Sequence, residues 1–171
     1  EPAFVFFAPE FRKAAYEAAA GLSRTKLVAI TEPDSGELGF EPMIKTGSET
    51  ATPPLPLDDD DLVIGYTSGT TGNPKGAINT HKNITCVHGF MNSIEWGLTS
   101  TDRTLVTTPM AHRTGIGRVA NMLCLGSSLV ILPHFDPAAV VDLMERERCT
   151  VLGVVPTIAR LLLPEIERRP E

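Results

Sequence analysis

The chain has 171 residues, 42% of them hydrophobic and 21% charged, with a formal net charge of -6. That length and balance suit one globular domain burying roughly 70% of its unfolded surface, and the acidic excess argues against a general nucleic-acid binder, which needs a basic patch. No apolar run approaches the roughly 20 residues of a membrane span and no signal-peptide pattern opens the chain, so no membrane span and a cytoplasmic location are expected.

Phe4-Val5-Phe6-Phe7 reads as a strand, with Pro9 opening a helix. Phe11, Ala14, Ala15, Ala18 and Leu22 recur at helical spacing as one buried stripe, Gly21 fits its end, and Lys26 to Thr31 gives a second strand. These elements make a β-α-β unit. From Glu32 to Asp61 the pattern dissolves into Pro, Gly, Ser, Thr and acids, a long connection (32–61) with room for a short helix at Pro42 to Thr46. The run Asp58-Asp59-Asp60-Asp61 cannot turn four adjacent carboxylates onto one ion and reads as a solvated approach to the strand Leu62 to Tyr66.

Beyond residue 76, Thr80 is a plausible N-cap for a helix reaching about Gly97, with Ile84, Val87, Phe90, Met91 and Ile94 as its apolar face. Arg103 to Thr108 is the next strand. Ile116, Val119, Ala120, Leu123 and Cys124 form another helical stripe closed by Gly126, and Ser128 to Leu132 is again a strand. Asp136-Pro137 is an N-cap and first-turn pair for a helix with Val140, Val141 and Met144 inward, Thr150 to Val155 is the last strand, and Thr157 begins the last helix. Six strands alternating with helices of about three turns predict an α/β fold of repeated β-α units, a mostly parallel sheet with helices on both faces. In such sheets ligands sit beyond the carboxyl ends of the strands, where the segments after Tyr66 and after Thr108 emerge.

Cys86, Cys124 and Cys149 are widely spaced, without metal-ligand spacing, and read as buried reduced thiols. Of the four histidines, His88 and His134 read as structural. No metal-ligating residue is identified.

The stretch that carries chemistry is Tyr66-Thr67-Ser68-Gly69-Thr70-Thr71-Gly72-Asn73-Pro74-Lys75-Gly76, directly after the apolar run Leu62-Val63-Ile64. Glycines let backbone N–H groups approach an anion, hydroxyls donate hydrogen bonds, and lysine adds a mobile positive charge, so the segment suits a polyphosphate. It is not the nucleoside-triphosphate P-loop, which requires Gly before Lys and Ser or Thr after it, where this chain has Pro74 and Gly76. Segment 66–76 is therefore assigned as a phosphate-binding loop of another kind.

That uninterrupted loop resembles the signature of the adenylate-forming (AMP-binding) superfamily of acyl-CoA synthetases, adenylation domains and luciferases. The order of elements is similar to the middle of the family's large N-terminal domain, so residues 1–171 are expected to form one partial α/β domain. The resemblance implies a two-step ligation using ATP with Mg: a carboxylate attacks the α-phosphorus to give acyl-adenylate and pyrophosphate, and a thiol such as coenzyme A displaces AMP. In that reaction Thr67, Ser68, Gly69, Thr70, Thr71 and Gly72 would bind the ATP phosphates, and Lys75 would bind them and act as the catalytic charge.

The segment Pro109-Met110-Ala111-His112-Arg113-Thr114-Gly115 resembles the family's histidine-containing segment beside the acyl pocket, with His112 at the matching position and Arg113 where an apolar residue is common. From the residues alone, His112 serves equally well as a cap of the following helix. Amino-acid-activating members carry an Asp here for the substrate ammonium; no carboxylate lies between Pro109 and Gly126, so the implied substrate is a small-molecule carboxylic acid. The family's later motifs for adenine, ribose and the C-terminal lysine are not found after Leu163. The expectation is a fragment of a carboxylate–CoA ligase, inactive alone and inclined to self-associate through exposed apolar faces; the alternative is a non-catalytic nucleotide- or phosphate-binding module.

Overall fold

The computed structural model describes residues 1–67 and 72–169, which fall into two compact units, Glu1–Pro54 and Leu55–Glu171. In the first, β1 (Phe4–Phe7) runs parallel to β2 (Lys26–Ala29), and β2 runs parallel to β3 (Leu38–Gly39). A turn of 3-10 helix at Pro9–Phe11 leads into α1 (Arg12–Ala19), and α2 (Phe40–Thr46) follows β3.

The small core joins Phe7, Ala15 and Ala29, with Val5 and Leu27 against it. Strand alternation sends Phe4 and Phe6 to the other face, where Phe6 meets Phe40 edge to face at 6.1 Å. The stripe predicted for α1 is mostly not buried: only Ala15 is, while Phe11, Ala14 and Ala18 are exposed. A two-turn helix over a short sheet makes one line of contact, and its N-terminal side is held instead by Arg12, whose guanidinium pairs with Glu37 at 3.0 Å and lies 5.7 Å from the Phe7 ring centroid. Thus the 32–61 connection contains the short helix that its pattern allowed, α2, together with the unexpected β3, and is tied back by Arg12.

In the second unit, β4 (Asp61–Thr67) and β5 (Lys75–Thr80) form an antiparallel hairpin, with Thr67 opposite Lys75 and a bulge between Asp61 and Val63. The run from His81 to Trp96 comprises α3 (His81–Ile84), a π-helical stretch (Thr85–Met91) and α4 (Asn92–Trp96). Then β6 (Arg103–Val106) is the middle strand of a parallel sheet ordered β7-β6-β8, with β7 at Ser128–Ile131 and β8 at Val151–Leu152. α5 (Arg113–Leu125), α6 (Pro137–Arg146) and α7 (Pro156–Glu167) alternate with these strands. Leu105 of β6, Val140 of α6 and Leu162 of α7 form the main core, and Thr104 and Val106, turned to the opposite face, are buried too.

The α/β class with parallel strands and helices agrees with the sequence, and all six expected strands occur, the longest predictions trimmed at their ends. β3 and β5 were not expected. β5 (Lys-Gly-Ala-Ile-Asn-Thr) has too little apolar alternation to read as a strand, and it makes the segment around 66–76 part of a hairpin instead of a β-α step.

Helix caps follow the sequence closely. Thr80 and Asn83 form a reciprocal capping box, Asp136 accepts the Ala139 N–H at 2.8 Å, and Gly126 ends α5 in the left-handed conformation. The helix after Thr80 nevertheless buries an unexpected face. Phe90, Met91 and Ile94 are exposed and the inward residues are His88 and Asn92, because the π-helical stretch rotates the register of everything after Ile84. Likewise Leu123 is exposed, and Gly115, Gly117, Ala120 and Asn121 form the buried line of α5. The thiols are free, but Cys86 and Cys124 are exposed and Cys149 is only half-buried, which corrects the expectation of buried cysteines.

Candidate functional site

Two loops build the site. The first is the turn of the β4–β5 hairpin. Thr67 Oγ1 donates to the Lys75 carbonyl at 3.5 Å, which holds the two ends of the loop together, and Gly72 has φ +89°, a conformation open to glycine. Ser68, Gly69, Thr70 and Thr71 lie outside the described residues. Tyr66 is 75% exposed beside them.

The second is the segment after β6. It turns tightly enough that a Cβ on Gly115 would stand 2.5 Å from the Pro109 carbonyl oxygen. His112 is the N-cap of α5, its Nδ1 accepting the Thr114 N–H at 3.2 Å. Capping does not remove His112 from the cavity side. A pocket of about 210 Å³ is walled by Tyr66, Thr67, Ala77 and Asn79 of the hairpin and by His112 and Arg113 of α5. The two segments that strand topology sends to the same edge therefore do meet.

Beside this pocket lies a polar core that the sequence pattern concealed. Asn92 Nδ2 lies 3.1 Å from His88 Nδ1 and 3.3 Å from Asn121 Oδ1, and Asn121 donates to the His88 carbonyl at 2.6 Å. Gly117 passes so close that a Cβ there would be 2.5 Å from His88 Cε1. Burial pushes the His88 pKa down, and the nearby positive charges of Arg113 and Arg118 push it further. One readable signal existed: His88 and Asn92 are four apart, on one helical face. His134, read as structural, is an exposed residue on the wall of a separate cavity with Thr107. The buried Thr107 hydroxyl has no partner among the described residues.

The whole chain except its last residue matches the family model for AMP-binding enzymes, over residues 1–170. The chain belongs to the AMP-binding enzyme family. Among curated relatives, it is 41% identical to a feruloyl-CoA synthase of Amycolatopsis over 110 residues, 62% of this chain and 22% of that protein. It is 32% identical to an indoleacetate–CoA ligase of Aromatoleum aromaticum over 166 residues, 95% of this chain and 31% of that one. Its fold is similar to the crystal structure of a putative long-chain-fatty-acid CoA ligase from Rhodopseudomonas palustris, with a TM-score of 0.83 at 25% identity, covering 95% of this chain and 40% of that structure. The curated relatives are CoA ligases, and this chain spans less than a third of their length. Among its described residues no three His, Cys, Asp or Glu converge as a metal site, and no helix is long and apolar enough to cross a membrane.

Proposed function

We propose that the chain forms the phosphate-binding hairpin and the acid-side helix of an ATP-dependent carboxylate–CoA ligase. The observation that carries this reading is the shared pocket in which the base of the 66–76 loop, at Tyr66 and Thr67, faces the His112-capped start of α5. A carboxylate held on the α5 side would lie next to a nucleotide whose phosphates are held by the loop, the proximity that in-line attack on the α-phosphorus requires. Thr67, Ser68, Thr70 and Thr71 would donate hydroxyl hydrogen bonds to the β- and γ-phosphates, with the backbone of Gly69 and Gly72. Lys75 would offset the charge on the departing pyrophosphate. Coenzyme A would then displace AMP from the acyl-adenylate. Magnesium would accompany the nucleotide, and no residue of this chain is assigned to it.

A carboxylic acid fits better than an amino acid, since α5 and the loop before it carry no carboxylate to pair a substrate ammonium. The relatives are named for feruloyl, indoleacetate and sulfoacetate, which supports an acid without fixing its tail. The activity is proposed for the complete ligase, in the cytoplasm. The 171-residue chain alone would bind phosphate without completing adenylation and would associate through exposed Phe90, Met91 and Ile94. The test is ATP–pyrophosphate exchange by the complete protein with a panel of carboxylic acids: acid-dependent exchange supports the reading, and pyrophosphate binding with no exchange for any acid overturns it. A burst of acyl-AMP from the 171-residue chain would overturn its inactivity.

A further inference from the structure

Behind the His112 pocket, two more cavities continue along α5. A small one of about 160 Å³ is walled by His88, Arg113, Arg118 and Asn121, and it shares Trp96, Thr114 and Arg118 with a larger one of about 610 Å³ that opens beyond the end of β8. Arg113 also belongs to the His112 pocket, so the three spaces form one series. Every titratable side chain lining the two further cavities is basic; they have no acidic residue in their walls.

Arg118 is the unexpected group in that series. It sits in the middle of α5, half-buried, with no carboxylate pairing it among the described residues. Its guanidinium carbon lies over the Trp96 ring, 5.2 Å from the ring centroid, a cation–π contact that helps to hold it in place. It lies against Gly153 so closely that any Cβ there would overlap it, so the absence of a side chain after β8 is what lets the guanidinium occupy this spot. Burial lowers the pKa of Arg118, so its charge is partly stripped of water without being neutralised by a partner. A desolvated, oriented, unpaired guanidinium facing a cavity is a site for an anion.

We infer that Arg118, with Arg113 beside it, binds a second anionic group at the far end of the acid substrate, so that the preferred acid carries a distal carboxylate or sulfonate. That the anion belongs to a substrate rests on the ligase reading; the anion site itself rests on the cavity. Arg118 stands six residues after His112, roughly 9 Å along the helix, which matches a short chain with an anion at each end. Arg118 acts here as a specificity residue that binds, not as a group that moves a proton.

Trp96 is the single tryptophan of the chain and stacks on Arg118, so its fluorescence reports this site directly. The 171-residue chain is titrated with straight-chain dicarboxylates of three to six carbons, with a sulfocarboxylate, with monocarboxylates of equal length, and with pyrophosphate. The expected result is a saturable change with one or more of the two-ended acids, at least about tenfold weaker with the monocarboxylates, and weakened by about tenfold or more in Arg118→Met. Gly153→Ala, which leaves Arg118 in the sequence but displaces its guanidinium, should weaken binding too, and circular dichroism checks that both variants keep the fold. Equal responses to one-ended and two-ended acids, no response to either, or a stronger response to pyrophosphate would each overturn the assignment. Acid-dependent exchange by the complete ligase with monocarboxylates only would leave the ligase reading standing while removing this one. Two-ended binding without any exchange would do the reverse.

Discussion

The β4–β5 hairpin and the β7-β6-β8 sheet belong to the same compact unit and are built on opposite terms. Along the hairpin Leu62, Ile64, Tyr66 and Ile78 are exposed, and its strands pair chiefly with each other. In β6, Thr104, Leu105 and Val106 are all buried, with α6 and α7 packed over Leu105. Residues that grip a phosphate must reach solvent and approach a ligand, so they cannot also be core. The difference assigns stability to the parallel sheet and leaves the hairpin free for the ligand contact proposed for it, and each variant below tests one side of it.

The largest expected effect is on activity alone. Lys75→Ala in the complete ligase should lower ATP–pyrophosphate exchange by about 10²–10³-fold, as loss of a preorganised charge does, while the unfolding free energy moves by less than about 0.5 kcal/mol because Lys75 is exposed. Unchanged exchange would remove Lys75 from the phosphate site.

On stability, Leu105→Ala should cost about 2–5 kcal/mol in urea unfolding, since Leu105 is 1% exposed at the centre of the core. Ile64→Ala in the hairpin, at 50% exposure, should cost only about 0.5–1 kcal/mol. Similar costs for the two would erase the contrast between the regions.

Asn121→Ala removes the donor to the His88 carbonyl and the acceptor for Asn92, and should cost about 1–3 kcal/mol, more than a methylene count predicts. Asp136→Ala deletes the α6 N-cap and should cost about 1 kcal/mol. A null result at Asn121 would mean that water replaces the amide in the folded state.

The smallest effect is one of pH. Burial, then Arg113 and Arg118, hold the His88 pKa below its unfolded value of about 6.5. The unfolded chain therefore takes up a proton first as pH falls, so stability is lost below about pH 6.5 and the loss levels off below the folded value. Urea midpoints measured between about pH 7.5 and about pH 5 should fall, and should fall less in His88→Gln. A midpoint that rises on acidification would reverse the sign and place His88 in a site that welcomes charge.

Much of the fold was legible because local rules and tertiary packing agreed. The strands of the parallel sheet announced themselves as short apolar runs, and Thr80, Asp136 and Gly126 marked helix ends by side-chain chemistry that acts within four residues. The candidate phosphate loop could be proposed from the sequence for the same reason, its glycines, hydroxyls and lysine being contiguous. β5 was not, since a strand with little apolar alternation is specified by its partner β4 and not by its own pattern. The buried face of the His81–Trp96 segment differs from the one its apolar spacing predicts because one π-helical stretch shifts its register, a change that no regular period anticipates.

By itself, then, the sequence determined the α/β class and most helix ends, and it singled out the 66–76 segment and His112 as the candidates on which the proposed function rests. Only the tertiary structure decided that β4 and β5 close as a hairpin, that His88, Asn92 and Asn121 make a polar core, and that Arg118 reaches a cavity past Gly153 beside Trp96. The physical reason is range. Caps and turns depend on neighbours along the chain, whereas the surroundings of Arg118 are set by Trp96 and Gly153, residues 22 positions before and 35 after it, which meet it only when the chain is folded.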